Sequence, residues 1–174
     1  MTRLLIYTCK RTPTVLTYKP AIKAVEKLQA QLLTMPINSR TKGASFERLI
    51  VSKINTYLES KNEDTRVTRN LDQAFMKGLA DIYWGNIAIE CKRYGKGSGN
   101  MYKSAWWDQV VNSAGDKFVP LLIYKYDRNK IMCVIPLYLL SNNEKPNWQS
   151  AYMCPLSDIC ERLDEVVERA NGYK

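Results

Sequence analysis

The chain has 174 residues, enough for one domain and too few for two large ones, and its 45% hydrophobic and 25% charged composition is that of a globular protein. Lys and Arg outnumber Asp and Glu by 26 to 17, a net charge of +9 that points to a polyanionic partner. Histidine is absent, which excludes Ser-His-Asp and Cys-His catalysis and His-ligated zinc, so any metal chemistry must use carboxylates, whose oxygens suit magnesium or manganese. Residues 1–41 read as an N-terminal extension, with a short strand over Leu4–Tyr7 and a helix opening after Pro20. That helix carries Ile22, Val25, Leu28 and Leu32 on one stripe.

A core region spans residues 42–140. Ser45 is placed to cap a helix running to about Leu58, with Phe46, Leu49, Ile50, Ile54 and Tyr57 at helical spacing. Residues 59–78 are polar and basic without a period. Leu79–Trp84 and Ile87–Lys92 read as strands joined by Gly85-Asn86, a hairpin signal. A Gly/Ser-rich basic loop over Lys96–Asn100 precedes a helix from about Lys103 to Ala114, with Gly115 as its stop. Two more strands, Val119–Lys125 and Ile131–Leu137, flank Asp127-Arg128-Asn129-Lys130. Residues 141–174 form a third segment, a loop over Asn142–Trp148 and one helix over about Ser157–Ala170. Its apolar stripe is Ile159, Leu163, Val166 and Val167, and its polar face has a net charge of −3, so the basic surface lies elsewhere.

Five cysteines (Cys9, Cys91, Cys133, Cys154 and Cys160), odd in number and without a CxxC, argue against a disulfide framework or zinc knuckle and for a reducing compartment. Cys91 and Cys133 alternate with apolar strand residues and read as small buried hydrophobes. No apolar run approaches the ~18 residues of a membrane span, and Leu4-Leu5-Ile6 is too short for a signal sequence. The expected location is the cytoplasm.

The hairpin permits a geometric argument. A two-residue loop at Gly85-Asn86 sets Trp84 opposite Ile87, Tyr83 opposite Ala88, Ile82 opposite Ile89 and Asp81 opposite Glu90. Alternation then gives one apolar face of Ala80, Ile82, Trp84, Ile87, Ile89 and Cys91, while Asp81, Glu90 and Lys92 share the other. Like charges in cross-strand contact are destabilising. Either a divalent metal relieves them, with Lys92 beside it, or Lys92 alone neutralises a surface cluster. Glu47 is in register with Ile50, Val51 and Ile54, so it points toward the protein and needs a partner there; the plainer alternative is an acid favoured by the helix dipole.

Glu47 on a helix, then Asp81, then Glu90-Cys91-Lys92 on a hairpin resembles the PD-(D/E)xK nuclease superfamily. More closely, Lys42-Gly43-Ala44-Ser45-Phe46-Glu47-Arg48, Ala80-Asp81-Ile82 and Ile89-Glu90-Cys91-Lys92 are similar to archaeal-type Holliday junction resolvases and their phage relatives. Gln109, Gly115, Val119-Pro120-Leu121-Leu122-Ile123 and Tyr126-Asp127-Arg128 extend the likeness over about residues 42–137. One departure is Ala80, where the superfamily has Pro. The resemblance implies an α/β fold, a restriction-endonuclease-like core with a small mixed β-sheet flanked by helices. It also implies Mg²⁺-dependent hydrolysis of DNA (Mn²⁺ substituting), a homodimer on branched DNA, and work at the nucleoid, in a host cytoplasm if phage-encoded. Carried over, Glu47, Asp81 and Glu90 bind metal, Lys92 positions the water or stabilises the transition state, and Gln109 assists near the phosphate.

Arg48, Arg66, Arg69, Lys77, Arg93, Lys96 and Lys103 lie near these motifs in sequence and are the expected phosphate contacts. Tyr94, Tyr102, Trp106 and Trp107 fall among them, and one of the adjacent tryptophans is expected to pack on the sheet while the other cannot fully do so. The leading expectation is a Holliday junction resolvase. The alternatives are a restriction-type or recombination nuclease on linear DNA, and a non-catalytic DNA-binding module of the same fold.

Overall fold

A computed structural model describes residues 39–95, 100–141 and 147–172. The expected strand at Leu4–Tyr7, the helix after Pro20, Lys96 and most of the 142–148 loop lie outside the described residues. In chain order the elements are α1 (Ser39–Ser60), a 3₁₀ turn (Asp72–Ala74), β1 (Ile82–Trp84), β2 (Ile87–Tyr94), α2 (Ser104–Ala114), β3 (Val119–Tyr126) and β4 (Met132–Pro136). A second 3₁₀ turn (Leu137–Leu139), β5 (Ala151–Pro155), α3 (Leu156–Cys160) and α4 (Leu163–Asn171) complete the described chain.

The five strands form one mixed sheet in the order β1-β2-β3-β4-β5. The β2–β3 pair is parallel, joined through α2, and the other pairs are antiparallel. Helices cover both faces, which is the α/β architecture of a restriction-endonuclease-like core. On one face Phe46, Ile50, Ile54 and Leu58 of α1, with Ile159, Val166 and Ala170 of α3 and α4, meet Ile82, Ile89, Leu121, Ile123, Cys133 and Ile135. On the other, Trp106, Trp107 and Val110 of α2 meet Leu122, Tyr124, Tyr126, Met132 and Val134. No helix among the described residues is long and apolar enough to cross a membrane.

Pro120 lies inside β3, a position that ordinarily loses a ladder bond. Val119 N–H bonds the Asn86 carbonyl on the β2 side (2.7 Å), so strand alternation turns the Pro120 nitrogen toward β4. There β4 pairs only with Leu122–Tyr124, and no β4 partner is matched to Pro120. The missing N–H is therefore placed where the ladder does not ask for one.

Several sequence expectations are corrected. The helix opens at Ser39, six residues before Ser45, and the Ser45 hydroxyl donates to the Thr41 carbonyl (2.8 Å) instead of capping. Leu49 is exposed, because Glu47 is buried and two helical residues are turned about 200° apart. The single C-terminal helix is two: Arg162 leaves helical geometry (φ −114°, ψ 17°), with its guanidinium on the Leu140 carbonyl (3.2 Å). Residues 151–155 form a strand that the sequence reading missed. Trp106 and Trp107 are both buried, the first among Tyr94, Tyr124 and Tyr126, the second donating its ring N–H to the Trp148 carbonyl (3.1 Å).

Gly115 ends α2 at φ 54°, ψ −143°, a region nearly closed to other residues, while nothing lies within 4 Å of where a Cβ would stand. Gly115→Ala is therefore expected to destabilise by roughly 1–3 kcal/mol through backbone strain alone. Urea denaturation with an unchanged m-value would show this, and a loss below about 0.5 kcal/mol would mean that the turn relaxes freely.

Candidate active site

The observed hairpin register is the one the Gly85-Asn86 loop dictates: Trp84↔Ile87, Tyr83↔Ala88 and Ile82↔Ile89. Bonded and non-bonded pairs alternate away from such a loop, so the next ladder bond would run from Cys91 N–H to the Ala80 carbonyl. Instead Cys91 N–H donates to Asp81 Oδ2 (2.7 Å), and the Ala80 carbonyl accepts from Asn70 Nδ2 (3.0 Å). Asn70 N–H also donates to the Asp81 carbonyl (2.7 Å). A side-chain oxygen thus fills the place of a backbone acceptor, and the chain bends. The bend moves Ala80 to the α2 side of the sheet, against Ala88 and Ala114, and not to the face of Ile82 and Cys91 as strict alternation predicted. Ala80 N–H donates to the Tyr83 hydroxyl (3.2 Å), a bond that a proline at this position could not make.

Glu90 is 2% exposed and Asp81 6% exposed, so two acids lie buried at the edge where β1 stops and β2 runs on. Glu90 Oε1 accepts from Lys92 Nζ (2.7 Å) and from Gln109 Nε2 (2.6 Å), while Gln109 Oε1 accepts from the same lysine (2.8 Å). Glu90 Oε2 is buried with no hydrogen-bond partner. Glu47 reaches in from α1 and accepts from Arg69 Nε (2.6 Å), with a second guanidinium nitrogen on the same oxygen. Gly43 lies one turn earlier, and a Cβ there would stand in ordinary van der Waals contact with Glu47 Oε1, at 3.8 Å.

Burial, then repulsion from Glu90, pushes the Asp81 pKa up to about 7, with Glu47 adding and the Cys91 N–H and Lys92 opposing. Burial likewise raises Glu90, against the pull of Lys92. The Cys91 thiol is pushed well up, first by burial, as expected of an inert buried cysteine. The three acids feel one another, yet among the described residues no three acidic or cysteine side chains are gathered into a ready metal cage. Arg69 holds Glu47. The donor set still fits a hard divalent cation: all oxygen, mutually repelling, with one buried oxygen unpartnered.

The expected phosphate contacts are in varied states. Arg48, Lys77 and Lys103 are exposed, Lys103 over the rings of Tyr94 (4.7 Å) and Trp106 (5.6 Å). Arg66 pairs with Glu59 (3.1 Å), Arg69 with Glu47, and Arg93 with Asp127 (3.4 Å). Lys42 joins the other oxygen of Asp127, whose carboxyl is held below the usual range by this lysine. Sequence reasoning gave no role to Lys42, Asp127 or Asn70, although the first two stood inside the quoted motifs.

A family model described as "Phage putative PDDEXK endonuclease" matches residues 38–156. The chain belongs to this family. No curated protein and no solved structure matches. The matched span runs from the first turn of α1 to the start of α3 and includes every residue of the acidic cluster. Membership makes the protein a nuclease by family, of a superfamily that works with divalent metal ions.

The charge on Asp81 can be tested without metal. Its pKa lies above the ordinary 3.8, so the native state holds an extra proton between about pH 4 and 7, and metal-free stability falls as pH rises across that window. Asp81→Asn keeps an oxygen for Cys91 N–H and removes the charge. In EDTA the variant is expected to flatten this slope and to unfold at higher urea than the parent at pH 8. A variant less stable than the parent at pH 8 would show that the charge is favourable where it sits.

Proposed function

We propose that the protein is a Mg²⁺-dependent endodeoxyribonuclease that resolves four-way DNA junctions as a homodimer in the cytoplasm. The observation that carries the catalytic part is the unpartnered, buried Glu90 Oε2 beside Asp81, with Lys92 on the adjacent oxygen. Asp81, Glu90 and Glu47 would hold the ion, and Mn²⁺ would substitute for it. When bound, the ion supplies positive charge to the scissile phosphate and makes water a better nucleophile at neutral pH.

The chain's own residues do the rest. Asp81 must be ionised to hold the ion, and burial beside Glu90 raises its pKa to about 7 in the metal-free chain, so ion binding there would displace a proton and weaken as pH falls. Lys92, held by Glu90 and Gln109, orients a proton donor toward the attacked phosphate and offsets charge growing on its oxygens. Gln109 fixes both the carboxylate and the ammonium from a rigid helix. Glu47 is released when Arg69 exchanges it for a backbone phosphate, which couples substrate binding to completion of the ligand set. Arg48, Lys77 and Lys103 are exposed and would meet phosphates directly, and Arg66 and Arg93 extend the basic surface.

The junction preference rests on the resemblance of the motifs and on symmetry: a four-way junction has a two-fold axis, and paired cuts ask for two sites. The deciding experiment is cleavage of a labelled four-way junction and a matched linear duplex, with Mg²⁺ or EDTA. Symmetric nicks in the junction alone are expected, abolished by EDTA and by Asp81→Asn. Cutting of the linear duplex would remove the junction reading, and binding without cutting would remove catalysis. Gln109→Ala should lower the rate about 10- to 100-fold, the usual loss when a group that orients a ligand is removed.

A further inference from the structure

The segment between Asn70 and Ala80 presents large apolar side chains to solvent beside the acidic cluster. Leu71 is 64%, Phe75 90% and Met76 59% exposed, and Phe75 is the most exposed large apolar residue among those described. Single exposed hydrophobes are ordinary, but three within six residues on one protruding turn are a patch that wants a partner.

This turn is not loosely attached. Its neck is closed by Asn70, whose N–H and side-chain amide bond the Asp81 and Ala80 carbonyls (2.7 and 3.0 Å), and by the bridge of Arg69 to Ile82. Inside, Asn70 Oδ1 accepts from Asp72 N–H (3.1 Å), and the Asp72 carbonyl accepts from the N–H groups of Phe75 and Met76 (2.9 and 2.8 Å). The neck is therefore the same backbone that places the Asp81 carboxylate. Phe75 is six residues from Asp81, so it cannot lie farther than ~20 Å from it. That is about the width of a DNA duplex.

We propose that the turn over Leu71–Met76 is a wedge that enters the base stack of bound DNA, with Phe75 as the inserted side chain and Met76 and Leu71 flanking it. The proposal rests on the nuclease reading above and adds the element that recognises distorted DNA. Charge supports nucleic acid as the occupant: exposed Lys77 follows the turn and exposed Arg48 lines the same groove as Leu71 and Arg69, while Arg66 and Arg69, which precede the turn, are paired with Glu59 and Glu47 and would exchange them for phosphate. Phosphates would meet the basic rim while the apolar tip meets base faces, the division of labour seen where apolar wedges unstack base steps. Junctions and other branched DNA expose bases that are cheap to unstack, so the wedge selects shape and not sequence.

The test uses the intact chain with Ca²⁺, which supports binding without asking for cleavage, and a four-way junction carrying 2-aminopurine at successive positions near the crossover. The parent protein is expected to raise the emission at one or two positions. Phe75→Ala should abolish that rise and weaken binding roughly 5- to 100-fold, the range for loss of one aromatic–base stack, while Phe75→Trp restores both. Unchanged emission and affinity in Phe75→Ala would overturn the wedge. So would a change in oligomeric state, read by light scattering, with DNA affinity intact, since the tip would then serve a second copy of the chain. If the parent binds no DNA, the nuclease reading itself falls; if it binds and cuts without any emission change, only the wedge does.

Discussion

The bond from Cys91 N–H to the Asp81 carboxylate is the contact on which the site depends. In an undisturbed hairpin that N–H would be satisfied by the Ala80 carbonyl, β1 would run on beside β2, and no carboxylate would enter the sheet edge. Exchanging a backbone acceptor for a side-chain one ends β1 after three residues and leaves β2 beyond Cys91 open on that side. It also holds a carboxylate in a place from which water is largely removed. The displaced Ala80 carbonyl is not orphaned, because Asn70 turns its amide to it. Local ladder rules are broken at one point and repaired by one neighbour, the pattern expected where function overrides regular structure.

The consequence of that burial is electrostatic. Both Asp81 and Glu90 are pushed up by desolvation and by neighbouring carboxylates, and the protein meets that cost with single-point cations instead of spreading the acids apart. Lys92 takes one oxygen of Glu90, and Arg69 takes Glu47. Both cations come from segments that the fold brings in for other reasons, Lys92 from the continuation of β2 and Arg69 from the bridge to Ile82. Lys42 and Arg93 make a similar arrangement around Asp127, tying the first turns of α1 to the end of β2 and the β3–β4 turn. Much of the basic surface beside the site is thus held in place by acids. Under the function proposed above, phosphate would replace those acids as a partner without the side chains having to be ordered afresh, lowering the entropic part of binding.

The hairpin was legible because its register is set by one loop: two residues with glycine first leave a single way to pair the flanking runs, and Gly85 takes the positive φ (54°) that such a loop requires. Glu47 was legible because helical spacing put it in step with Ile50 and Ile54. The same spacing misled for Leu49, since a stripe wide enough to include both Leu49 and Glu47 would have to wrap most of the helix. The displacement of Ala80 could not be read, because it depends on Asn70 reaching a strand ten residues away. Nor could the partners of Arg69 and Arg93, at sequence separations of 22 and 34. β5 was missed for a different reason: Ala151–Pro155 is short, carries Pro155 at its end, and gains its identity only by pairing with β4.

Precision in such a site requires that its parts stand on elements that do not move. Glu90 and Lys92 stand on a strand buried between two layers, and Gln109 and Glu47 stand on helices that cover opposite faces. Asp81 alone stands on a bend. Its position is nonetheless fixed three times over: by the carboxylate on Cys91 N–H, by its carbonyl on Asn70 N–H, and by the ladder that begins one residue later at Ile82. Asn70 is also the residue that closes the neck of the exposed turn. The backbone that aims the Asp81 carboxylate and the backbone that carries Phe75 are therefore joined through one residue, so whatever engages the turn bears on an acid whose charge burial already disfavours.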